Sequence, residues 1–312
     1  MMSKSPSVCV VLSTYNGEKY IECQMDSILG QNYSDFHVLV RDDGSSDSTV
    51  SLLHGYEQGS RGKVRILTDS RGNLGSLRSF ELLLSMADTE YVAFADQDDK
   101  WEPDKLSKLV SAIEAALEGH AGLPALAYSD LAVVDSELKP IYDSFYQYTR
   151  INKDRGMHTR QLLVQNGVVG CSVLVNRRLR DIALPFPPEC LMHDWWLALC
   201  ASYSGCVAMV DEALVRYRQH ADNAIGAVSS FSAAFSRRRA RKSTFASIKQ
   251  GMQLLTRGLP CAHPEEKSLL ERLVGKRGRG LKAELLCSGV RKSTILRTIY
   301  FYLFECEGND FI

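Results

Sequence analysis

The stretch Tyr91-Val-Ala-Phe-Ala95 runs without a polar break into Asp96-Gln97-Asp98-Asp99 and then Lys100-Trp101. An apolar run this short predicts a strand buried on both faces, and three carboxylates in four positions mark where it leaves the core. Asp is also a common turn residue, which accounts for one or two of these acids. It does not account for the recurrence of the pattern. Residues 8–12 are apolar and end at Ser13-Thr14-Tyr15-Asn16-Gly17-Glu18. Residues 36–40 end at Arg41-Asp42-Asp43-Gly44-Ser45, and residues 64–67 end before Gly72-Asn73-Leu74-Gly75.

Between these strands the apolar spacing predicts helices. One covers 18–29, one follows a cap at Ser46 or Asp47, one covers 76–86, and one covers 103–117 behind Pro103. Strand and helix alternate every ~25–30 residues, which predicts an α/β fold built on a mainly parallel sheet. Ligands of such sheets bind beyond the carboxyl ends of the strands, so the four polar clusters are expected to share one crevice. Neither a GxGxxG turn nor a GxxxxGK[ST] phosphate loop is present.

Further on, a strand over 125–128 meets Ser129-Asp130, with 131–134 extending it or pairing back. Residues 136–157 carry Tyr142, Phe145, Tyr146 and Tyr148, which fits a loop over an acceptor or local packing alike. A glycine-rich turn at 166–170 leads into a strand ending at Val175. Met192-His193-Asp194-Trp195-Trp196 opens a helix, where the unpaired amides favour a carboxylate. Strand-like residues at 206–210 and 213–217 lead to Arg218-Gln219-His220.

Charge divides the chain. The net charge is zero, which gives no argument for nucleic acid, yet residues 231–312 hold 16 Lys or Arg against 7 Asp or Glu, a net of +9, and the remainder carries −9. This predicts an acidic part over 1–230 and a basic helical extension over 231–312. The extension suits an anionic membrane surface, oligomerisation such as a homodimer, or bracing of the core; its charges also serve simply to solvate helix faces. Nine scattered cysteines with no CxxC pair argue against zinc knuckles and disulfide scaffolds and for a reducing cytoplasm. No signal peptide and no membrane-length apolar run is expected.

An Asp-x-Asp at a strand end suits Mg²⁺ or Mn²⁺, which prefer oxygen ligands and share them with substrate phosphates. Asp42 and Asp43 at the neighbouring strand end could receive ribose or base donors, which together fit a nucleoside diphosphate.

In their order and spacing, Ser13-Thr14-Tyr15-Asn16-Gly17, Asp42-Asp43-Gly44-Ser45, Gly72-Asn73-Leu74-Gly75, Asp96-Gln97-Asp98-Asp99-Lys100-Trp101-x-Pro103, His193-Asp194-Trp195-Trp196 and Tyr217-Arg218-Gln219-His220 resemble the family 2 glycosyltransferases. The resemblance covers roughly residues 7–225 and leans toward the branch that builds bacterial surface polysaccharides such as O-antigen or capsule, rhamnosyltransferases included. It implies a GT-A fold with a mixed, mainly parallel sheet flanked by helices. It implies Thr14, Tyr15, Asn16, Glu18, Asp43, Asn73 and Asp96 at a UDP- or dTDP-sugar, Asp98 and His220 at Mn²⁺ or Mg²⁺, and Asp194 as general base of an inverting transfer. An α-linked UDP donor would then give a β-glycoside, and dTDP-β-L-rhamnose an α-rhamnoside. The implied acceptor is a glycan on a lipid diphosphate at the inner face of the cytoplasmic membrane. Relatives often have Glu before the base, where this chain has His193, so that neighbour's role stays open, as do those of Asp99, Lys105 and Arg78. A sugar-1-phosphate nucleotidyltransferase is the alternative enzyme, although residues 13–19 lack its basic glycine-rich loop. A non-catalytic carbohydrate-binding protein is the alternative outside enzymes, and it would need neither the Asp-x-Asp nor a separate base.

Overall fold

A computed structural model describes residues 7–153, 157–220, 237–276, 278–292 and 294–302. The boundary expected at 230–231, with residues 221–236 around it, therefore lies outside the described residues.

The first half follows the expected alternation: β1 (Val8–Thr14), α1 (Ile21–Leu29), β2 (Phe36–Asp42), α2 (Thr49–Gly59), β3 (Val64–Ile66), α3 (Gly75–Met86) and β4 (Tyr91–Ala95). Strands β3, β2, β1 and β4 lie side by side, all parallel. The central strands β1 and β4 are buried on both faces, so their residues alternate between two cores. Cys9 and Val11 of β1, with Val92 and Phe94 of β4, join the cluster under α3. Val8, Val10 and Leu12, with Tyr91, Ala93 and Ala95, join the cluster under α1. Burying each large side chain of this kind is worth ~1.5–3 kcal/mol, which is why strands without one polar residue are stable only at the centre of the sheet.

The second half is less regular. It runs β5 (Lys100–Trp101), α4 (Lys105–Ala116), β6 (Ala125–Val134), β7 (Pro140–Tyr142), α5 (Phe145–Thr149), α6 (Thr159–Leu162), a single 3-10 turn at Gly170–Ser172, β8 (Val173–Asn176), α7 (Arg177–Ala183), α8 (His193–Ser204) and β9 (Cys206–Arg218). Strand β8 pairs antiparallel with both β4 and β6, which makes the sheet mixed. The two apolar runs around Ser129-Asp130 form one strand, β6. A register shift against β9 at Ser129–Asp130 absorbs the polar pair, whose Asp130 carboxylate takes the Leu131 amide (2.8 Å), the Phe145 amide (3.1 Å) and the Ser144 hydroxyl. The aromatic stretch after β6 contains β7 and α5 where a loop was expected.

Helices α9 (Arg237–Thr256), α10 (Pro264–Leu273), α11 (Gly278–Cys287) and α12 (Ile295–Tyr300) follow. Phe245, Ile248, Leu254, Leu270, Leu285 and Phe301 belong to the same apolar cluster as Phe94 of β4 and Trp196 of α8. No described helix is long and apolar enough to cross a membrane.

Candidate active site

The polar clusters meet at the carboxyl edge of β1, β2 and β4. The loop after β1 is stapled to the loop after β2. Thr14 Oγ1 donates to Asp42 Oδ1 (2.9 Å), and Asn16 Oδ1 accepts the Ser46 amide (2.8 Å). Glu18 Oε2 accepts the Ser48 amide (2.9 Å), and Asp47 Oδ2 accepts the Glu18 amide (3.1 Å). Asn16 holds a φ of 49°, a left-handed conformation that Asn tolerates better than most residues. The side chains of Asn16 and Glu18 thus organise the loop pair, while the Tyr15 ring is half exposed beside them.

Asp43 is buried and heavily engaged. Its carboxylate takes the amides of Leu74 (2.7 Å) and Gly75 (2.8 Å) at the start of α3, together with the Arg41 guanidinium. Burial alone would raise its pKa, but these donors outweigh it and hold the carboxyl below its usual value. Arg41 also reaches Asp69, Ser79 and the Gly72 carbonyl, and Asn73 Nδ2 donates to the Asp43 carbonyl (3.0 Å). Arg41 was not singled out from the sequence; a cation directly before Asp42-Asp43 was the available signal.

The acidic turn after β4 is strapped from two sides. Gln24 Nε2 of α1 donates to the Asp96 carbonyl (2.8 Å), and the Gln97 carboxamide exchanges two hydrogen bonds with the Tyr15 backbone (2.8 and 2.9 Å). A side chain at Gly17 would have to displace the Gln97 carboxamide that is tied to the Tyr15 backbone. From the other side, Arg218 Nε donates to the Asp98 carbonyl (2.6 Å) and its amide to Asp99 Oδ1 (3.1 Å). His220 Nε2 lies 2.9 Å from Asp98 Oδ2, so the two residues expected at a metal stand together.

Crowding gives this turn its electrostatics. Asp96 is pushed up to about 7, first by burial and then by the charges of Asp98 and Asp194. Asp99 is raised well above its usual value by burial and by Asp98 and Asp96, and its Oδ2 has no hydrogen-bond partner. Ligand atoms of Asp96, Asp99 and Cys171 lie within 4.8 Å of one another, a candidate metal cluster. The Cys171 thiol is held protonated by burial, so the oxygen atoms are the better ligands for a hard cation. Lys105, buried beneath, donates to the Cys171 carbonyl (2.6 Å), sits 3.2 Å over the Trp101 ring, and is pushed down to about 7 by burial. Arg78 pairs with Glu81 on α3.

Asp194 sits in the first turn of α8 and is buried. Burial pushes it up to about 6, opposed by hydrogen bonds from the Trp195 amide (2.6 Å), the Asn166 side chain and the Gly170 amide. Its influence on Asp96 puts it within electrostatic reach of the acidic turn. Its neighbour His193 is not a second acid. The ring packs between Phe80 (4.3 Å) and Phe94 (5.1 Å), neither nitrogen has a hydrogen-bond partner, and burial pushes it down to about 3. It is a neutral packing residue. A Cβ at Gly170 would come 2.7 Å from His193 Nε2, so this turn can approach only as glycine.

Residues 9–179 match the profile of Glycosyl transferase family 2. The chain is 26% identical over 240 residues to the dTDP-rhamnosyl transferase RfbG of Shigella flexneri, covering 72% of this chain and 77% of that relative. In fold it resembles S. aureus TarS in complex with UDP-GlcNAc (TM-score 0.56, 17% identity, 90% of this chain and 79% of that one). It likewise resembles the mannosyltransferase PcManGT from Pyrobaculum calidifontis in complex with GDP-Man and Mn²⁺ (TM-score 0.55, 18% identity, 92% and 74%). Of the three functions open at the level of sequence, only the glycosyl transfer is compatible with the matched profile. The chain belongs to glycosyl transferase family 2 and is a glycosyltransferase enzyme of the GT-A fold.

Proposed function

We propose that the protein transfers a sugar from a UDP- or dTDP-sugar to a glycan hydroxyl, with inversion at the anomeric carbon. The observation that carries this reading is the pairing of a crowded acidic turn with one separate buried carboxylate, Asp194, close enough to act on Asp96. The carboxylates crowded at Asp96–Asp99 and the His220 ring fit a divalent cation, held by Asp98 and His220 with Asp96 nearby; when bound it would neutralise charge on the diphosphate. Thr14, Tyr15, Asn16, Glu18, Asp43 and Asn73 build the nucleotide end. Tyr15 offers its exposed ring, and the others shape the loops that receive the base and ribose.

Asp194 acts at the other end. Its carboxylate accepts the proton of the acceptor hydroxyl as the oxygen attacks the anomeric carbon. The bond from that carbon to the diphosphate oxygen breaks and its electron pair leaves with the nucleotide. One displacement inverts the centre and no covalent glycosyl intermediate is needed. A carboxyl at about 6 is ionised at neutral pH yet basic enough to share a proton in the transition state.

The acceptor in this reading is a glycan on a lipid diphosphate, met at the inner face of the cytoplasmic membrane, in bacterial surface-polysaccharide synthesis. Two features support it: the similarity to RfbG and the net +9 of residues 231–312. A panel of UDP- and dTDP-sugars with a lipid-linked glycan acceptor, with and without Mn²⁺, tests it. One donor should be consumed with inversion; failure of every donor sinks the reading. Flotation of the full chain with anionic and neutral liposomes tests the surface. Arg237, Arg238 and Arg239→Gln should weaken only the anionic case, and equal flotation would remove the basic surface from the account.

A further inference from the structure

The profile match ends at residue 179, ahead of both Asp194 and α9. Yet α9 touches the segments that hold Asp194. Ser247, Gln250, Leu254 and Arg257 recur at helical spacing and form one stripe along that helix. Ser247 Oγ donates to the Leu163 carbonyl (2.8 Å), just ahead of Asn166, whose side chain reaches Asp194. Gln250 Oε1 accepts the Leu191 amide (2.6 Å), three residues before Asp194. Arg257 reaches the carbonyls of Ala183 (3.1 Å), Leu184 (2.9 Å) and Pro185 (2.9 Å) at the far end of the same loop.

Ser247 and Gln250 are fully buried, although their polarity and the basic run before them read as a solvated face. A buried polar side chain is costly unless its polar atoms are hydrogen-bonded. Gln250 meets that condition with one atom only: Oε1 is engaged, while Nε2 has no hydrogen-bond partner. Its selective feature is therefore an acceptor aimed at one amide.

We infer that α9 is the brace of the catalytic carboxylate and that Gln250 is a positioning residue for Asp194. It fixes the Leu191 amide, and with it the entry of the chain into α8, so that Asp194 meets the acceptor hydroxyl at the reacting distance. This rests on Asp194 being the general base. The basic extension then contributes to proton removal from a distance, whatever else its surface binds.

The test compares kcat and the donor KM for Gln250→Met, which removes the acceptor atom, and Gln250→Glu, which keeps an acceptor oxygen and exchanges the unpartnered amide nitrogen for a second carboxyl oxygen. A control, Leu255→Ala, loosens the same helix without touching the Leu191 hydrogen bond. Gln250→Met should lower kcat ~10–100-fold, the effect of misplacing a reacting group by about an ångström, with donor KM unchanged. Gln250→Glu should recover most of the loss, and Leu255→Ala should keep wild-type kcat. If the Met variant does not fold, Gln250→Ala is read the same way. Independently of activity, hydrogen exchange across 191–196 should quicken in the Met variant and not in the Leu255 control. Asp194→Asn run alongside separates the two claims. Transfer retained by it overturns the base assignment. With Asp194→Asn inactive, wild-type kcat in Gln250→Met, or an equal kcat loss in Leu255→Ala, overturns the brace.

Discussion

The acidic turn after β4 and the N-terminus of α8 both carry carboxylates raised first by burial and lie within electrostatic reach of each other, but the second influence on each differs. In the turn, the charge of Asp98 adds to burial in raising Asp96 and Asp99, and one oxygen of Asp99 is left without a partner. At α8 a single acid is raised by burial and steadied by three donors. The first arrangement is incomplete without positive charge, which suits binding a cation and a diphosphate. The second has its hydrogen bonds already made, which suits the proton acceptor proposed above. The difference teaches that a shifted pKa alone does not identify a base; its cause does.

The largest test of that division is Asp194→Asn. It should lower kcat by ~10²–10⁴-fold, the usual share of a general base, as measured by nucleotide release with saturating acceptor. A loss confined to KM would move Asp194 to the binding side of the comparison. Next, Asp98→Ala should weaken nucleotide binding in the presence of Mn²⁺ by ~10–100-fold, the scale of a disturbed metal site. Binding unchanged by this substitution would remove Asp98 from the cation.

The pH profile is smaller and sharpens the same point. Asp194 must be ionised to act, so kcat should hold above its value of about 6 and fall ~tenfold per unit below it. The profile should flatten or vanish in Asp194→Asn. His193 gives the smallest effect, and it is one of stability. Its folded value, about 3, lies below the ordinary 6.5, so the unfolded chain binds a proton first as pH falls. Stability should be intact above pH 6.5 and decline toward pH 3, by about 5 kcal/mol at most. Denaturant melts of His193→Leu should show a shallower decline; an unchanged slope would contradict a buried neutral imidazole.

The two regions also differ in how far the sequence discloses them. The acidic turn is local: an apolar run ends in Asp96–Asp99, and both burial and charge can be read from that stretch alone. The strand–helix alternation follows from equally local patterns, whereas the mixed GT-A sheet was implied by the family resemblance. Asp194 could be placed at a helix start, but what holds it could not. Asn166 and Gly170 come from one turn and Gln250 from a helix some eighty residues on, and only the packing brings them to it. Asp43 shows the same limit: its partners, the amides of Leu74 and Gly75, are supplied by the turn into α3. The extension was hardest to read. Small polar residues beside a basic run look like a wet surface, whereas Ser247 and Gln250 face inward onto carbonyl and amide groups that no apolar side chain could satisfy.

Calorimetric titration of UDP, with dTDP in parallel, into the wild type, Asp194→Asn and Asp98→Ala at fixed Mn²⁺ tests the division of labour most directly. The account predicts that Asp194→Asn binds the nucleotide as the wild type does while transferring no sugar, and that Asp98→Ala binds it weakly. Equal loss of binding in both variants would contradict it, because the two carboxylate regions would then be doing the same job.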